Sequence, residues 1–265
     1  MRYSIPLFAA CLALLIGCGN TTEPEAEEWQ QLFNGRDLNE WTPKFYGEPA
    51  GENYLETFRV QGGMLTVSYE NYDSLNGKFG HLFFNQPFSQ YKLRAEYRFI
   101  GDQVAGGPAW AYANNGLMLH CQSPSTMAIG QEFPLSLEFQ LLARDETMQD
   151  RPCGNLCTPG TQVRLDGNLR TEHCLEDFQG PSFDIGEWVV AEAVVFGDSA
   201  VHHILNGDTV LSYESPIVGG GLNGLDTSKY STGRALKQGL IAIQAESHGI
   251  QFRKIELLEL DVMGN

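Results

Sequence analysis

Two short stretches carry the residues best equipped for chemistry. N-N-G-L-M-L-H runs from 114 to 120 and S-L-E-F-Q-L-L from 136 to 142, and both alternate as strands do. In the second, Glu138 and Gln140 share one side, while Leu137, Phe139 and Leu141 take the other. A carboxylate can move a proton, and an amide two places along can hold a hydroxyl or satisfy a buried backbone group. Packed on its apolar side, such a strand would display a polar row in a groove. The same periodicity also describes a strand whose polar side simply meets water.

Other residue types invite the same question. In V-H-H-I-L, His202 and His203 point to opposite faces of a regular strand, so only one of them can serve a site. Trp110 and Tyr112, in G-G-P-A-W-A-Y-A, are aromatics able to stack on a sugar ring or to pack a core. The chain has six cysteines. Cys11 and Cys18 belong to the N-terminal leader region, which leaves Cys121, Cys153, Cys157 and Cys174. An even number in an exported chain is expected to form disulfides, with three pairings open. The C-G-N-L-C spacing, with His120 and His173 beside Cys121 and Cys174, leaves zinc as the competing arrangement.

Export is read from the N-terminus. Arg2 and an apolar run from Ile5 to Ile16 have the shape of a signal peptide and are too short to span a bilayer. The run ends in L-I-G before Cys18, which resembles the lipoprotein box of bacteria. Residues 1–17 are therefore expected to be the signal, Cys18 the lipid-bearing first residue, and 18–28 a tether to the cell envelope, whether periplasmic or outer-membrane. About 237 residues follow, enough for one large β domain or two small ones. The net charge of −16 excludes nucleic acid as a natural partner and disfavours direct adhesion to anionic lipid. A neutral sugar or a cation-bound ligand stays compatible.

The elements that must position these side chains read as strands throughout. F-R-V-Q-G-G-M-L-T-V predicts a hairpin cornered at Gly62 and Gly63, and H-H-I-L-N-G-D-T-V predicts another turning at Asn206-Gly207. In Y-K-L-R-A-E-Y-R-F, Tyr91, Leu93, Ala95, Tyr97 and Phe99 alternate strictly with charged residues, as in an antiparallel sheet with one covered face. Residues 143–187 read mostly as loop, with a short strand at 161–165, and a second glycine-rich loop falls near 214–237. No long helical pattern appears after the leader, and P-loop, H-E-x-x-H and G-x-S-x-G motifs are absent. The fold class expected is all-β, a two-sheet antiparallel jelly-roll sandwich over residues 29–262.

L-F-N-G-R-D-L-N-E-W, F-R-V-Q-G-G-M-L, N-N-G, L-E-F-Q, G-E-W, H-H-I-L-N-G and the closing I-A-I-Q-A-E-S-H-G-I-Q-F-R-K-I-E-L together resemble the 3-keto-disaccharide hydrolase family, in the family's order. The resemblance implies a concanavalin A-like, laminarinase-like jelly roll acting on 3-keto-glycosides, which a sugar 3-dehydrogenase would supply. It places polar positions at Asn115, Glu138, Gln140, His203, Asn206, Gln244 and His248. The chain departs from it at His120, where many relatives have arginine, and in the cysteine-rich insertion.

A ketone at C3 acidifies the proton on C2, so a base can remove it and the C1 substituent can leave; adding water completes a hydrolysis, and omitting it leaves a lyase. Glu138 is the expected base, because a carboxylate held on a sheet and desolvated has a raised pKa. His203 is the expected acid or second base. Asn115, Gln140, Asn206, Gln244, His248, Trp110 and Tyr112 are the expected sugar contacts, and a divalent metal beside the enolate is compatible but has no diagnostic spacing. The E-x-D-x-x-E pattern of laminarinase-type enzymes is missing around Glu138. The competing function is a carbohydrate-binding lipoprotein without catalysis.

Overall fold

The computed structural model describes residues 28–260 except Glu146 and Met148, together with Met1. The expected signal, Cys18 and nearly all of the tether lie outside the described residues. Sixteen strands are present among them. They run β1 (Gln30–Gln31), β2 (Trp41–Phe45), β3 (Phe58–Gln61), β4 (Met64–Val67), β5 (Gly80–Phe84) and β6 (Gln90–Gln103). Then come β7 (Asn114–Cys121), β8 (Leu137–Leu142), β9 (Leu156–Cys157), β10 (Thr161–Leu165) and β11 (Asn168–Arg170). The chain ends in β12 (Val189–Phe196), β13 (Ala200–Leu205), β14 (Asp208–Val218), β15 (Leu240–Ala245) and β16 (His248–Glu259).

The strands form two antiparallel sheets. The larger has the order β11-β10-β14-β13-β12-β6-β16-β4-β3, with β1 added on β16, and the smaller has the order β2-β5-β15-β7-β8-β9. The all-β sandwich read from the alternation is what the chain folds into. Strand β6 shows why: Tyr91, Leu93, Ala95, Tyr97 and Phe99 are all buried, and Leu117, Leu119, Leu137, Phe139 and Ile243 of the smaller sheet meet the same core from the other side. On the outer face of the larger sheet, Arg94 pairs with Glu192 and Glu256, and Trp188 lies under Arg98 and Arg253.

Both hairpin corners form as expected. At the second, Asn206 and Gly207 have φ of 50° and 94°, the left-handed pair that matches the twist of the flanking strands. The stretch 143–187 holds more strand than its composition suggests. Beside the expected β10 it contributes β9 to the smaller sheet and β11 to the larger, where β10 and β11 form a hairpin at the edge. G-G-G-L-N-G at 219–224 follows β14 with the spacing of a dinucleotide fingerprint but leads into turns rather than a helix.

The smaller sheet positions the site. All eight residues of β7 are buried, so this strand is covered on both faces. One face joins the main core. The other carries a small apolar cluster of Phe83, Met118, Cys121, Met127 and Ala242, and beside it a polar floor.

Candidate functional site

Antiparallel register lines up side chains from five strands on that outer face. Lys44 of β2 stands opposite His81 of β5, His81 opposite Gln244 of β15, and Gly116 of β7 opposite Gln140 of β8. One step beyond the Ile243–Leu117 pair, Gln244 comes level with Gly116 and closes the row. Glu138, two residues from Gln140, lies on the same face opposite Met118. A cleft of about 400 Å³ opens over this floor, lined by Trp110, Asn114, Phe133, Glu138, Gln140, Cys157, His173, Cys174 and Glu246.

Gly116 makes the floor. A Cβ there would stand 2.7 Å from Cγ of Glu138 and 2.8 Å from Oε1 of Gln244, so the carboxylate and the amide lean together over the missing side chain. Neither Asn115 nor Gly116 is in a turn with positive φ; both lie in β7, and the left-handed residue is Ala113 at 37°.

Electrostatics single out two carboxyl groups. Glu138 is 5% exposed, and burial pushes its pKa up to about 8, tempered by the amide of Gln244. Glu246, 3% exposed, is held well above the usual carboxylate range by burial and then by the charge of Glu138. Burial and mutual repulsion thus oppose ionisation of both carboxyl groups together, so the pair holds a proton where free carboxyl groups would have lost theirs. Several buried polar atoms on the same floor have no protein partner at full hydrogen-bond geometry: both ring nitrogens of His81, both amide atoms of Gln244, Oε2 of Glu246 and Oδ1 of Asn114. Leaving such atoms unpaired costs about 1–3 kcal/mol each, so their gathering on one floor marks the place where a hydroxyl-rich ligand is best received.

The structure brings together only part of the expected set. Glu138, Gln140 and Trp110 line the cleft, and Gln244 joins Glu138 beneath it. His203 does not. It is fully buried on the larger sheet, stacked on Phe139 with ring centroids 4.0 Å apart, and Phe139 points away from Glu138. Its Nδ1 donates to the Gly154 carbonyl and its Nε2 accepts from the Tyr213 hydroxyl, while burial lowers its pKa to about 3. The shared cleft expected for Glu138 and His203 is therefore corrected: they stand on opposite sides of β8.

Four further positions also lie elsewhere. Asn115 turns inward and donates to the Gln244 carbonyl at 2.6 Å. Asn206 is a turn residue whose side chain accepts from the Val190 amide. His248 opens β16 and bonds the Gly101 carbonyl, with Tyr112 edge-on at 5.1 Å. Tyr112 donates to Asp145. Trp110 is 53% exposed and tilts over Phe79 at the rim.

The cysteines resolve into one bond and two thiols. Cys157 and Cys174 are joined and wall the cleft, whereas Cys121 and Cys153 are separately buried and free. The expectation of four paired cysteines is corrected on this point. With Cys157 and Cys174 sharing a bond, neither supplies a thiolate to zinc, and Cys121 and Cys153 are buried apart. Among the described residues no group of three or more His, Cys, Asp or Glu is placed to hold a metal ion.

Glu246, His81, Lys44 and Asn114 were not legible as site residues. Glu246 follows the end of β15 and His81 sits in an apolar strand, so only the cross-strand register reveals them. A larger hollow of about 850 Å³, lined by residues such as Tyr230, Arg234 and Leu236, contains no carboxylate and lacks the acid-base pair.

Two antiparallel sheets around an apolar core, with a polar cleft on the free face of the smaller sheet, define a lectin-like β-sandwich. The chain belongs to the 3-keto-alpha-glucoside-1,2-lyase-like domain family, whose model matches residues 28–258. Membership ties it to glycoside chemistry. No curated protein matches the chain. Solved structures of similar fold include a candidate glycosyl hydrolase from Parabacteroides distasonis, 18% identical over 88% of this chain and 94% of that one, with a TM-score of 0.50. A protein of unknown function with a galectin-like fold from Bacillus subtilis is 14% identical over 88% and 94%, with a TM-score of 0.53. At these identities the likeness is one of fold.

Proposed function

We propose that the chain cleaves 3-keto-glycosides, with Glu138 as the base and Glu246 as the proton donor. The observation that carries this reading is the pair of buried carboxyl groups, Glu138 and Glu246, that line one cleft and oppose each other's ionisation. Ionised Glu138 takes the C2 proton, and the electron pair of that C–H bond passes into the enolate of the C3 ketone. The enolate re-forms the ketone as a C1=C2 double bond develops and the C1–O bond breaks, its pair leaving on the aglycone oxygen. That oxygen takes the proton of Glu246. Water adding at C1, with a proton returned to C2, completes a hydrolysis; release before that step makes the enzyme a lyase.

Trp110 at the rim supports a sugar ring, and Gln140, Asn114 and Gln244 supply amides for its oxygens. A conventional glycosidase also uses two carboxyl groups, but the E-x-D-x-x-E pattern that places them on one strand in laminarinase-type enzymes is missing around Glu138. Here the second carboxyl group, Glu246, comes from beyond the end of β15 instead. The lectin-like fold and the exposed Trp110 favour a second reading, a carbohydrate-binding protein without turnover.

The same proposal includes anchoring through lipid on Cys18 in the bacterial cell envelope and supply of substrate by a sugar 3-dehydrogenase. It is supported by the L-I-G-C run and by the need for a ketone at C3. The deciding experiment compares a 3-keto-glucoside with the matched unoxidised glucoside. Cleavage of the keto compound alone, lowered about 10²–10⁴-fold in Glu138→Gln, is expected. Equal cleavage of both compounds overturns the elimination. Binding without cleavage of either establishes the binding protein.

A further inference from the structure

The acid-base pair leaves one cluster of the floor unused. His81 is 1% exposed, and neither ring nitrogen has a protein partner. It stands opposite Gln244 in the register, on the side away from Gly116, and its other neighbour is Lys44, whose ammonium is buried and donates to the Phe45 carbonyl. A core histidine normally bonds at least one nitrogen to the protein, as His203, His248 and His120 do here. His81 is the exception among these, and it lies beside the amide that adjoins the base.

Two rings pack on His81, Phe83 of its own strand and Phe133 of the cleft lining. Phe133 lines the cleft, is half-buried, and meets His81 edge-on with centroids 5.7 Å apart. Phe133 in turn stacks on Phe79, which tilts against the exposed Trp110, so an aromatic series runs from the rim to the histidine. A sugar ring entering over Trp110 and replacing the Phe133 ring would expose His81 and Gln244 together.

Resting on the elimination proposed above, we propose that His81 and Gln244 form the oxyanion site for the C3 oxygen, with Phe133 as the movable roof over it. The base removes a proton from C2 and the negative charge appears on the oxygen of C3, one carbon further along the ring. Donors are therefore needed to one side of Glu138, and the row across β8, β7, β15 and β5 supplies them in that direction. One N–H of the imidazole and one of the Gln244 amide would point at that oxygen. Such donors gain strength as charge develops in a dry site. Burial, and then the charge of Lys44, hold the pKa of His81 down to about 3, so it acts as a neutral imidazole rather than as an imidazolium that would give up its proton. The C3 oxygen is an alcohol in an ordinary glycoside and a ketone here, so the same pair would also select the oxidised sugar.

The test uses the whole protein with two ligands and two variants. The ring-nitrogen NMR signal of His81, assigned by its loss in His81→Gln, is followed on adding 3-keto-1,5-anhydroglucitol, which has no aglycone to lose, and its 3-hydroxy parent. A shift with the keto compound and little with the parent is expected. Turnover of a 3-keto-glucoside should fall about 10²–10³-fold in kcat for His81→Phe and less for His81→Gln, which retains a donor. If the wild-type protein cleaves the 3-keto-glucoside while the His81 signal does not move or His81→Phe keeps its kcat, the oxyanion assignment is overturned and the elimination stands. If the wild-type protein cleaves none, both fall, and that result is read from the unmodified protein alone.

Discussion

His203 lies face to face on Phe139, 4° from parallel, and this stack pins the imidazole behind the strand whose opposite face carries Glu138. The ring is a structural link between the two sheets. His203→Ala is expected to lower stability by about 2–4 kcal/mol, since it opens a cavity and strands the Tyr213 hydroxyl and the Gly154 carbonyl. The folded fraction should keep its kcat. Denaturant melts combined with turnover per folded molecule check this, and a kcat loss at unchanged stability would restore a chemical role to His203.

Glu138 links activity and stability with opposite signs. In the unfolded chain its carboxyl loses its proton near 4.5, and in the folded protein near 8. Between those values folding takes up a proton, so the stability present below pH 4.5 is lost as pH rises through about 8. Glu138→Gln should therefore match the wild type near pH 4 and exceed it above pH 8, by on the order of a few kcal/mol. Activity moves the other way and rises toward pH 8 as the base ionises. Melting temperatures across this range, together with a kcat/KM profile, test the pair of trends.

Gly116→Ala probes the contact of Glu138 with Gln244. The added methyl would stand within 3 Å of both side chains, and Gly116 lies inside a strand that alanine can enter without backbone strain. A kcat loss of about tenfold or more, with a stability cost of about 1–3 kcal/mol, is expected. Restoration of kcat by any second change at Gly116 larger than glycine would count against the cradle.

The disulfide combines a structural and a local role. Cys157 and Cys174 are 17 residues apart and wall the cleft, so Cys157→Ser with Cys174→Ser should cost about 3 kcal/mol and weaken sugar binding as well. Thiol titration of the denatured, unreduced protein should find Cys121 and Cys153 reactive and the other two silent.

Trp110 is predicted to act in binding alone. Its ring is half exposed at the rim, so Trp110→Ala should leave the melting temperature within a degree or two and raise KM or Kd about tenfold. Calorimetric titration with the 3-keto ligand would measure the change.

Strict alternation settled the sandwich at the level of sequence, because a period of two with one apolar side has few stable solutions besides packed antiparallel sheets. Strand β6 and the Asn206-Gly207 turn were legible in this way, and so was Glu138 as a carboxylate opposite an apolar row. Alternation along one strand states which residues share a face. It does not state which face meets the core when both are buried, as along β7, or which distant strand lies alongside. Asn115 and His203, which the resemblance places at the site, turned out to face the core. His81 and Glu246 joined the floor that holds Glu138 only through the register of β5, β15 and β7, which also set Gln244 beside Glu138. That register is a long-range property, fixed by how the two sheets close over one core and by the gap that Gly116 leaves between a carboxylate and an amide.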